Sequence, residues 1–319
     1  MATTTGTETT ITTAKPAARR SREAVRRRLA VIATTLVAVL LIGYLGVSSV
    51  VADKLSHPTR KAVLRTPEEL NMQFEDVLFN STVDNVPLKG WYIDSPGDKV
   101  ILVMHGRNST RDGGHILDII KGLYDKGYDA FAFDFRAHGL SGGERYSLGL
   151  LETRDVAGAL QYLKGRGVAE VGGLGFSMGA ATELLAAPDH PEMKALVSDS
   201  AFANLPNLLD KELPKASGLP GFFNPGIILM GKLFYGIDLA ATKPVESLPR
   251  LGDRPLFIIH GTEDALVPVG HAYELQKAGQ GDPNLQFWVV EGAGHTGIYD
   301  KAPEEYMQRL LAFYDKYLP

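Results

Sequence analysis

Residues 171–181 read Val-Gly-Gly-Leu-Gly-Phe-Ser-Met-Gly-Ala-Ala, an apolar run that ends in Gly-x-Ser-x-Gly and leads into a helical pattern. This order predicts a strand, a sharp turn with Ser177 at its apex, and a helix. A turn that sharp leaves little room for a Cβ on either side, which explains Gly175 and Gly179. The apex would expose the Ser177 hydroxyl and leave the amide N–H of Met178 free to donate. Taken alone, the pattern is equally compatible with a plain glycine-rich turn.

Length and composition limit the number of domains and the classes of function that the chain can have. With 319 residues, of which 45% are hydrophobic, the protein can form one large α/β domain and an appendage. The net charge is −4, but residues 1–30 carry +5 and the remainder −9. A mildly acidic globular part argues against nucleic acid as the main partner. Because the chain has no cysteine, disulfides, thiolate metal sites and a cysteine nucleophile are excluded.

The N-terminal region predicts a membrane anchor. Residues 1–28 are rich in Thr, Ala and Arg and predict a disordered, basic tail, whereas residues 29–51 contain no charge. As a helix rising about 1.5 Å per residue, this span would be roughly 34 Å long, against a hydrocarbon core of about 30 Å. The alternative is a cleaved signal peptide ending near Ala52, although its apolar core would normally be only about 7–15 residues long.

Charge around the span predicts its orientation in the cell membrane. The arginines between residues 19 and 28 lie on the N-terminal side, so the positive-inside rule predicts a cytoplasmic N-terminus and a single pass. The C-terminal body would then lie outside the cytoplasm. Residues 52–70 predict a juxtamembrane linker between the span and that body.

Residues 71–319 predict one domain in which strands and helices alternate. Two short strands, 74–79 and 88–93, flank a turn at Asp84-Asn85 and predict an antiparallel hairpin. Six buried strands follow, over residues 100–104, 130–135, 171–176, 195–198, 256–259 and 287–290. Amphipathic helices separate them, among them 150–163, 267–278 and 303–317. This alternation predicts a mostly parallel sheet covered by helices on both faces.

One insertion interrupts the alternation. Residues 201–250 are far longer than a single crossover needs, and they contain an apolar run over 227–235. We expect a small helical cap that supplies an acyl-binding wall, because an insertion here opens at the carboxyl edge of the sheet. The alternative is an ordinary pair of packing helices.

A serine hydroxyl becomes a strong nucleophile only when a base removes its proton, and that base needs an acid to orient it. In a parallel sheet, we expect the base and the acid just past the carboxyl ends of strands, beside Ser177. His295 meets this requirement, since it ends the glycine-rich loop 292–295 directly after the strand 287–290. Glycines in that loop allow the backbone to bring the imidazole close to the serine.

The acid should follow the preceding strand, 256–259. Asp264 is the first choice because it lies just ahead of the turn into Val267-Pro268, and Glu263 and Asp199 are the alternatives. The resulting order of nucleophile, acid and base along the chain is that of α/β-hydrolases, and differs from the orders in chymotrypsin and subtilisin.

Two backbone amides are candidates for an oxyanion hole, the pair of donors that would bind a developing negative oxygen. One is the amide of Met178, and the other is the amide of Arg107, in the loop after the strand 100–104. His105, at the start of that loop, is expected to support it without taking part in the reaction.

Five motifs together resemble the α/β-hydrolase superfamily, and within it a membrane-anchored, serine aminopeptidase-like bacterial branch. They are Val103-Met-His-Gly106, Asp134-Phe-Arg-Ala-His-Gly-Leu-Ser-Gly-Gly143, Gly175-Phe-Ser-Met-Gly179, His260-Gly-Thr-Glu-Asp264 and Gly292-Ala-Gly-His295. The resemblance implies an eight-stranded sheet and a Ser-Asp-His triad at the positions already named. It departs from the family at Ala137, where a glycine is usual. No acidic cluster is clearly placed to bind a substrate's α-amino group, so the aminopeptidase activity is not expected.

The sequence therefore predicts a carboxylesterase-like serine hydrolase. Ser177, Asp264 and His295 would cleave a small ester or thioester substrate through an acyl-enzyme, and this chemistry needs no metal or organic cofactor. An acyltransferase or a serine peptidase would use the same triad. A binding module without activity would keep the fold but is expected to lack a triad member, and none is missing.

Overall fold

The structure, a computed structural model, describes residues 17–318 together with Ala2 and Gly6, with side chains from residue 21 onward. It divides into two compact units, residues 1–47 and 48–319, which we describe separately. The part of the predicted tail that precedes residue 17 lies, apart from Ala2 and Gly6, outside the described residues.

The first helix, α1 (Ala17–Ser56), is longer than the predicted span at both ends. The helix bounds thus differ from the prediction, in which the tail is disordered as far as residue 28 and the membrane helix covers residues 29–51. Arginine and alanine are strong helix formers, and no proline or glycine separates the basic cluster from the apolar run. The apolar bounds mark where hydrophobicity changes, not where the helix ends. Within α1, residues 21–56 form a helix long and apolar enough to cross a membrane, and the most apolar 18-residue window in it has a mean hydropathy of 2.4.

The segment after α1 is bound to the body of the protein and is not a free linker. The backbone amides of Leu64 and Arg65 donate to one carboxylate oxygen of Asp112, at 2.7 and 2.8 Å. The Arg60 guanidinium donates to four carbonyl oxygens of the 138–143 loop at 2.6–3.2 Å. A short 3₁₀ turn, Pro67–Leu70, then leads into the first strand. The predicted linker over 52–70 is thus the end of a helix followed by a fixed segment.

The sheet has eight strands, as the sequence predicted. They are β1 (Phe74–Asn80), β2 (Pro87–Ile93), β3 (Lys99–Met104), β4 (Tyr128–Phe133), β5 (Val171–Phe176), β6 (Met193–Asp199), β7 (Leu256–Gly261) and β8 (Leu285–Val290). Their order across the sheet is β1-β2-β4-β3-β5-β6-β7-β8. β2 runs antiparallel to β1 and β4, and the other neighbours are parallel. The predicted hairpin and parallel sheet are confirmed.

The strand order creates a crevice at one place. From β3 the chain moves outward to β4 and then returns to β5, on the other side of β3. The connections after β3 and β5 therefore part in opposite directions at the carboxyl edge. Open α/β sheets bind their ligands at such a switch point.

Helices cover both faces of the sheet. They are α2 (Ile116–Tyr124), α3 (Glu152–Gly165), α4 (Met178–Ala186), α5 (Leu205–Ser217), α6 (Asn224–Tyr235), α7 (Gly270–Ala278), α8 (Ile298–Lys301) and α9 (Pro303–Tyr317). Alternate residues of β3 enter two separate cores: Leu102 belongs to the core that includes residues of α3, α4 and α7, whereas Ile101 belongs to the core that includes residues of α2 and α9. Because side chains alternate along a strand, a fully apolar strand implies a covered sheet on both sides.

The insertion between β6 and β7 contains α5, α6 and several 3₁₀ turns. The Asn204 side chain accepts a hydrogen bond from the amide of Asn207 and caps the first turn of α5. The leucines of α5 face inward and are buried, namely Leu205, Leu208, Leu209 and Leu213.

Candidate active site

Ser177 lies at the junction of β5 and α4 in a strained conformation, with φ 53° and ψ −114°. Neighbouring glycines make this turn possible. A Cβ at Gly175 would come within 2.6 Å of the Ala180 amide nitrogen, and one at Gly179 would collide with the backbone of Met104. Any side chain at these two positions would therefore force the turn apart. Strain of this kind is typical of functional sites.

His295 joins Ser177 to Asp264 in one hydrogen-bonded chain. Its Nε2 lies 2.8 Å from the Ser177 Oγ, and its Nδ1 lies 2.7 Å from the Asp264 Oδ2. The three residues named from the sequence come from the loops after β5, β7 and β8. With the Nδ1 proton held by a carboxylate, Nε2 is free to accept the serine proton.

Asp264 is buried and surrounded by donors. Its Oδ1 accepts hydrogen bonds from the amides of Leu266 and Val267, at 3.0 and 2.7 Å. Burial alone would raise the pKa of Asp264, but hydrogen bonds from His260, His295 and the Val267 amide hold it well below its usual range. The carboxylate therefore stays ionised behind the imidazole. The alternative acid Glu263 is exposed and makes no contact with His295 among the described residues.

Asp199, the other alternative acid, lies in the same region with a different role. Its carboxylate accepts hydrogen bonds from the hydroxyls of Ser200, at 2.8 Å, and Tyr306, at 3.1 Å. The Ser200 Oγ in turn accepts the amide N–H of Thr296, the residue after His295, at 3.1 Å. Burial raises the pKa of Asp199 to about 6. Asp199 is thus linked through Ser200 to the loop that carries His295, and it makes no hydrogen bond to the imidazole.

The two candidate oxyanion donors lie beside Ser177. A Cβ on Gly106 would be 3.2 Å from the Cβ of Ser177, which places the loop carrying Arg107 against the serine. Within residues 17–318, no hydrogen-bond acceptor is recorded for the amide of Met178 or of Arg107. Two backbone N–H groups are therefore available where an oxyanion would form.

Two buried histidines fix that loop. His105 donates from Nδ1 to the Gly106 carbonyl and accepts the Phe135 amide at Nε2, at 2.7 and 3.0 Å. The Nε2 of His138 accepts the amide of Asn108 at 3.2 Å, next to Arg107. Burial lowers the pKa of His105 to about 3 and lowers the pKa of His138, so both stay neutral. The supporting role predicted for His105 agrees with these contacts.

A cavity of about 470 Å³ opens above the serine. Its lining includes Ser177, His295, Arg107, and the leucines 205, 208 and 209 of α5. The insertion therefore covers the serine on one side with an apolar wall, as expected of a cap. Among the described residues, no group of three or more His, Asp or Glu side chains is arranged to hold a metal ion.

The sequence did not identify two residues that shape this site. Ser200 has φ 59° and links Asp199 to the His295 loop, and His138 holds the loop of Arg107. His138 lies within the motif 134–143, so its position in a strand-end loop was a usable signal. Nothing in the sequence distinguished Ser200 from other serines.

Known proteins resemble this chain in sequence and in structure. A family model described as serine aminopeptidase, S33, matches residues 95–229, which include Ser177 but end before Asp264 and His295. Protein YqkD of Bacillus subtilis is 27% identical over 241 residues, covering 72% of this chain and 75% of YqkD.

Two further proteins carry descriptive names. The lysophosphatidylserine lipase ABHD12 of Rattus norvegicus is 27% identical over 238 residues, covering 67% of this chain and 56% of that protein. The esterase Pf2001 of Pyrococcus furiosus has a solved structure that superposes with a TM-score of 0.70 at 29% identity. It covers 82% of this chain and all of the esterase chain.

Proposed function

We propose that this chain is a serine hydrolase, which cleaves carboxylic esters or thioesters through an acyl-enzyme. The proposal proceeds from the premise that the chain belongs to the α/β-hydrolase superfamily. The observation that carries the proposal is the unbroken hydrogen-bonded chain from Ser177 through His295 to Asp264, at 2.8 and 2.7 Å. Ser177, at one end of these hydrogen bonds, faces a cavity where two backbone donors are available.

In the first half of the reaction, Ser177 Oγ attacks the carbonyl carbon and His295 Nε2 takes its proton. Asp264 holds the Nδ1 proton and stabilises the imidazolium that forms. The carbonyl oxygen, now negative, is bound by the amides of Met178 and Arg107. His295 then gives its proton to the leaving alcohol or thiol, and the acyl group stays on Ser177.

In the second half, water replaces the alcohol. His295 removes a proton from the water, which attacks the acyl-enzyme, and then returns the proton to Ser177 Oγ as the acid leaves. The Asp264 carboxylate needs no proton change in either half. Its pKa, held low by the donors around it, keeps it ionised throughout.

The names of two similar proteins agree with ester cleavage. One is an esterase and the other a lysophosphatidylserine lipase. An apolar cap beside the serine supports a substrate with an acyl chain of some length, since apolar walls bind apolar chains.

Hydrolysis of p-nitrophenyl esters by the full-length protein in detergent tests the proposal. We expect hydrolysis of short esters by the wild type and a loss of about 10³-fold or more in Ser177→Ala. Ser217→Ala, at the far end of α5, is the matched serine-to-alanine control and should keep its activity. Equal activity of wild type and Ser177→Ala would contradict the proposal.

We propose further that α1 anchors the protein in the cell membrane as a single, uncleaved pass, with the N-terminus in the cytoplasm. The apolar helix within residues 21–56 and the arginines that precede its uncharged part support this orientation. Protease added to intact cells should then degrade the domain. Full protection of the domain until the membrane is permeabilised would reverse the topology.

A further inference from the structure

A second, smaller cavity lies next to the catalytic one. Its volume is about 80 Å³, and the end of α1 lines it through Ala52, Leu55 and Ser56. The cap lines it from the other side with apolar side chains, among them Leu213 of α5 and Ile227 of α6. We call this space the side cavity.

The side cavity adjoins the catalytic cavity. Four residues line both spaces, namely Arg107, Leu148, Leu209 and Glu212. We call the four shared residues the junction. Arg107 and Glu212 are also the charged residues of the side cavity, so its charges lie at the junction. Beyond the junction the lining is mainly aliphatic, which suits a hydrocarbon chain and no polar group.

The end of α1 is held firmly in place as a wall. The Ser56 carbonyl accepts the amide of Tyr146 at 2.9 Å, and Asp53 forms an ion pair with Arg145 at 2.7 Å. Three residues beyond the helix, the amide of Thr59 donates to the side chain of Asn108 at 3.0 Å. The helix end is thereby connected to the loop that carries Arg107.

The positions of His295 and Arg107 favour the acyl chain, and not the alcohol, as the occupant of the side cavity. His295 must reach the leaving alcohol to protonate it, and His295 lines the catalytic cavity but not the side cavity. Arg107, whose amide is the candidate oxyanion donor, lines both. The alcohol therefore lies toward His295, and the acyl chain extends past Arg107 into the side cavity.

We propose that the end of α1 forms one wall of the acyl-chain site and that Leu55 sets the length of chain accepted. The proposal rests on the proposed ester-cleaving function. The apolar span and the acyl site would then be parts of one helix, since Leu55 lies four residues beyond the predicted span. A preference for esters of longer acyl chains follows.

The size of the side cavity sets the expected effect. At about 30 Å³ for a water-sized group, 80 Å³ accommodates about three methylene groups. Each buried methylene contributes about fourfold to kcat/KM. Filling the cavity should therefore lower kcat/KM for a long chain by about 10- to 60-fold relative to a short one.

The experiment measures kcat/KM of the full-length protein in detergent for p-nitrophenyl acetate, butyrate, octanoate and decanoate. Leu55→Trp should lower the octanoate-to-butyrate ratio by about 10-fold or more, while butyrate hydrolysis stays within about threefold of wild type. Leu55→Ala should shift the preference the other way, toward decanoate. Leu78→Trp, at an exposed leucine of β1, is the control and should leave the ratio unchanged.

The outcomes separate the inference from the function on which it rests. Unchanged ratios in both Leu55 variants, with the wild type active, would overturn the inference and leave the proposed function standing. A change in the preference for alcohol length, measured with butyrate esters of ethanol, butanol and octanol, would assign the side cavity to the alcohol and also overturn it. Failure of the wild type to hydrolyse any ester would overturn both.

Discussion

Asp199 is the last residue of β6 and Asp264 follows the neighbouring strand β7. Both carboxylates are buried, yet their surroundings shift their pKa values in opposite directions. Asp264 accepts hydrogen bonds from two backbone amides and from His295, and its pKa is lowered. Asp199 accepts hydrogen bonds from two neutral hydroxyls, and burial raises its pKa to about 6.

The difference shows that a position at a strand end does not by itself make a carboxylate the catalytic acid. Amide and imidazole donors stabilise the charged form, and they are aimed at Asp264 because its side chain closes the turn to Val267. Two hydroxyls cannot offset the cost of burying a charge at Asp199. Asp264 is thus suited to stabilise an imidazolium, and Asp199 to hold a loop.

Replacing Asp264 should have the largest effect. Asp264→Asn keeps the shape but presents a neutral amide to His295, which favours the wrong tautomer. We expect kcat to fall by about 10³–10⁴-fold with little change in KM. Steady-state kinetics of octanoate hydrolysis would measure this. A fall of less than about tenfold would mean that another group orients His295.

Removing the Ser200 hydroxyl should have an intermediate effect. Ser200→Ala deletes the acceptor of the Thr296 amide and loosens the loop of His295, so we expect kcat to fall by about 3- to 10-fold with KM unchanged. Ser200→Gly also lacks the hydroxyl but tolerates the positive φ of 59°. If Ser200→Gly were fully active, the hydroxyl would not be needed to hold the loop of His295, which would contradict the role given to Ser200.

Of the three replacements, neutralising Asp199 should change activity least. Its larger effect should be on the free energy of unfolding. Because the pKa of about 6 in the folded state lies above the usual aspartate value of 3.8, the contribution of Asp199 to stability is present at low pH and is lost as pH rises through about 6. Asp199→Asn removes this loss, so the variant should gain up to about 3 kcal/mol over wild type between pH 4 and pH 7. kcat/KM at pH 8 should stay within about threefold of wild type.

Unfolding of both proteins in detergent across this pH range measures the difference. If the difference in the free energy of unfolding between Asp199→Asn and wild type stays constant with pH, Asp199 is ionised in the folded protein throughout this pH range. A loss of activity as large as that of Asp264→Asn would make Asp199 the catalytic acid and reverse the comparison.

The fold was largely predictable because its signals are local. β5 and α9 match their predicted bounds, since a glycine-serine turn ends one and Pro303 begins the other. β4 ends at Phe133, two residues earlier than predicted, although Phe135 is still buried. Phe135 is buried although it lies beyond the end of β4, and composition alone cannot distinguish a buried residue from a residue of the strand.

The site was predictable only in part. Strand-end positions indicated Ser177 and His295, but Asp264 and Asp199 follow strands equally, and the donors that distinguish them are set by tertiary contacts. The wall formed by Leu55 was not predicted. It depends on packing the end of α1 against a cap more than 150 residues away in the chain, which no local pattern encodes.

Labelling with a fluorophosphonate, followed by peptide mapping, tests the central claim most directly, since the reagent reacts with an activated serine. We predict one adduct per chain, on the peptide that contains Ser177, and no adduct in Ser177→Ala. Labelling should slow by about 10³-fold or more in His295→Ala, because the base that activates the hydroxyl is gone. An adduct on another residue, or equal labelling of Ser177→Ala, would contradict the account.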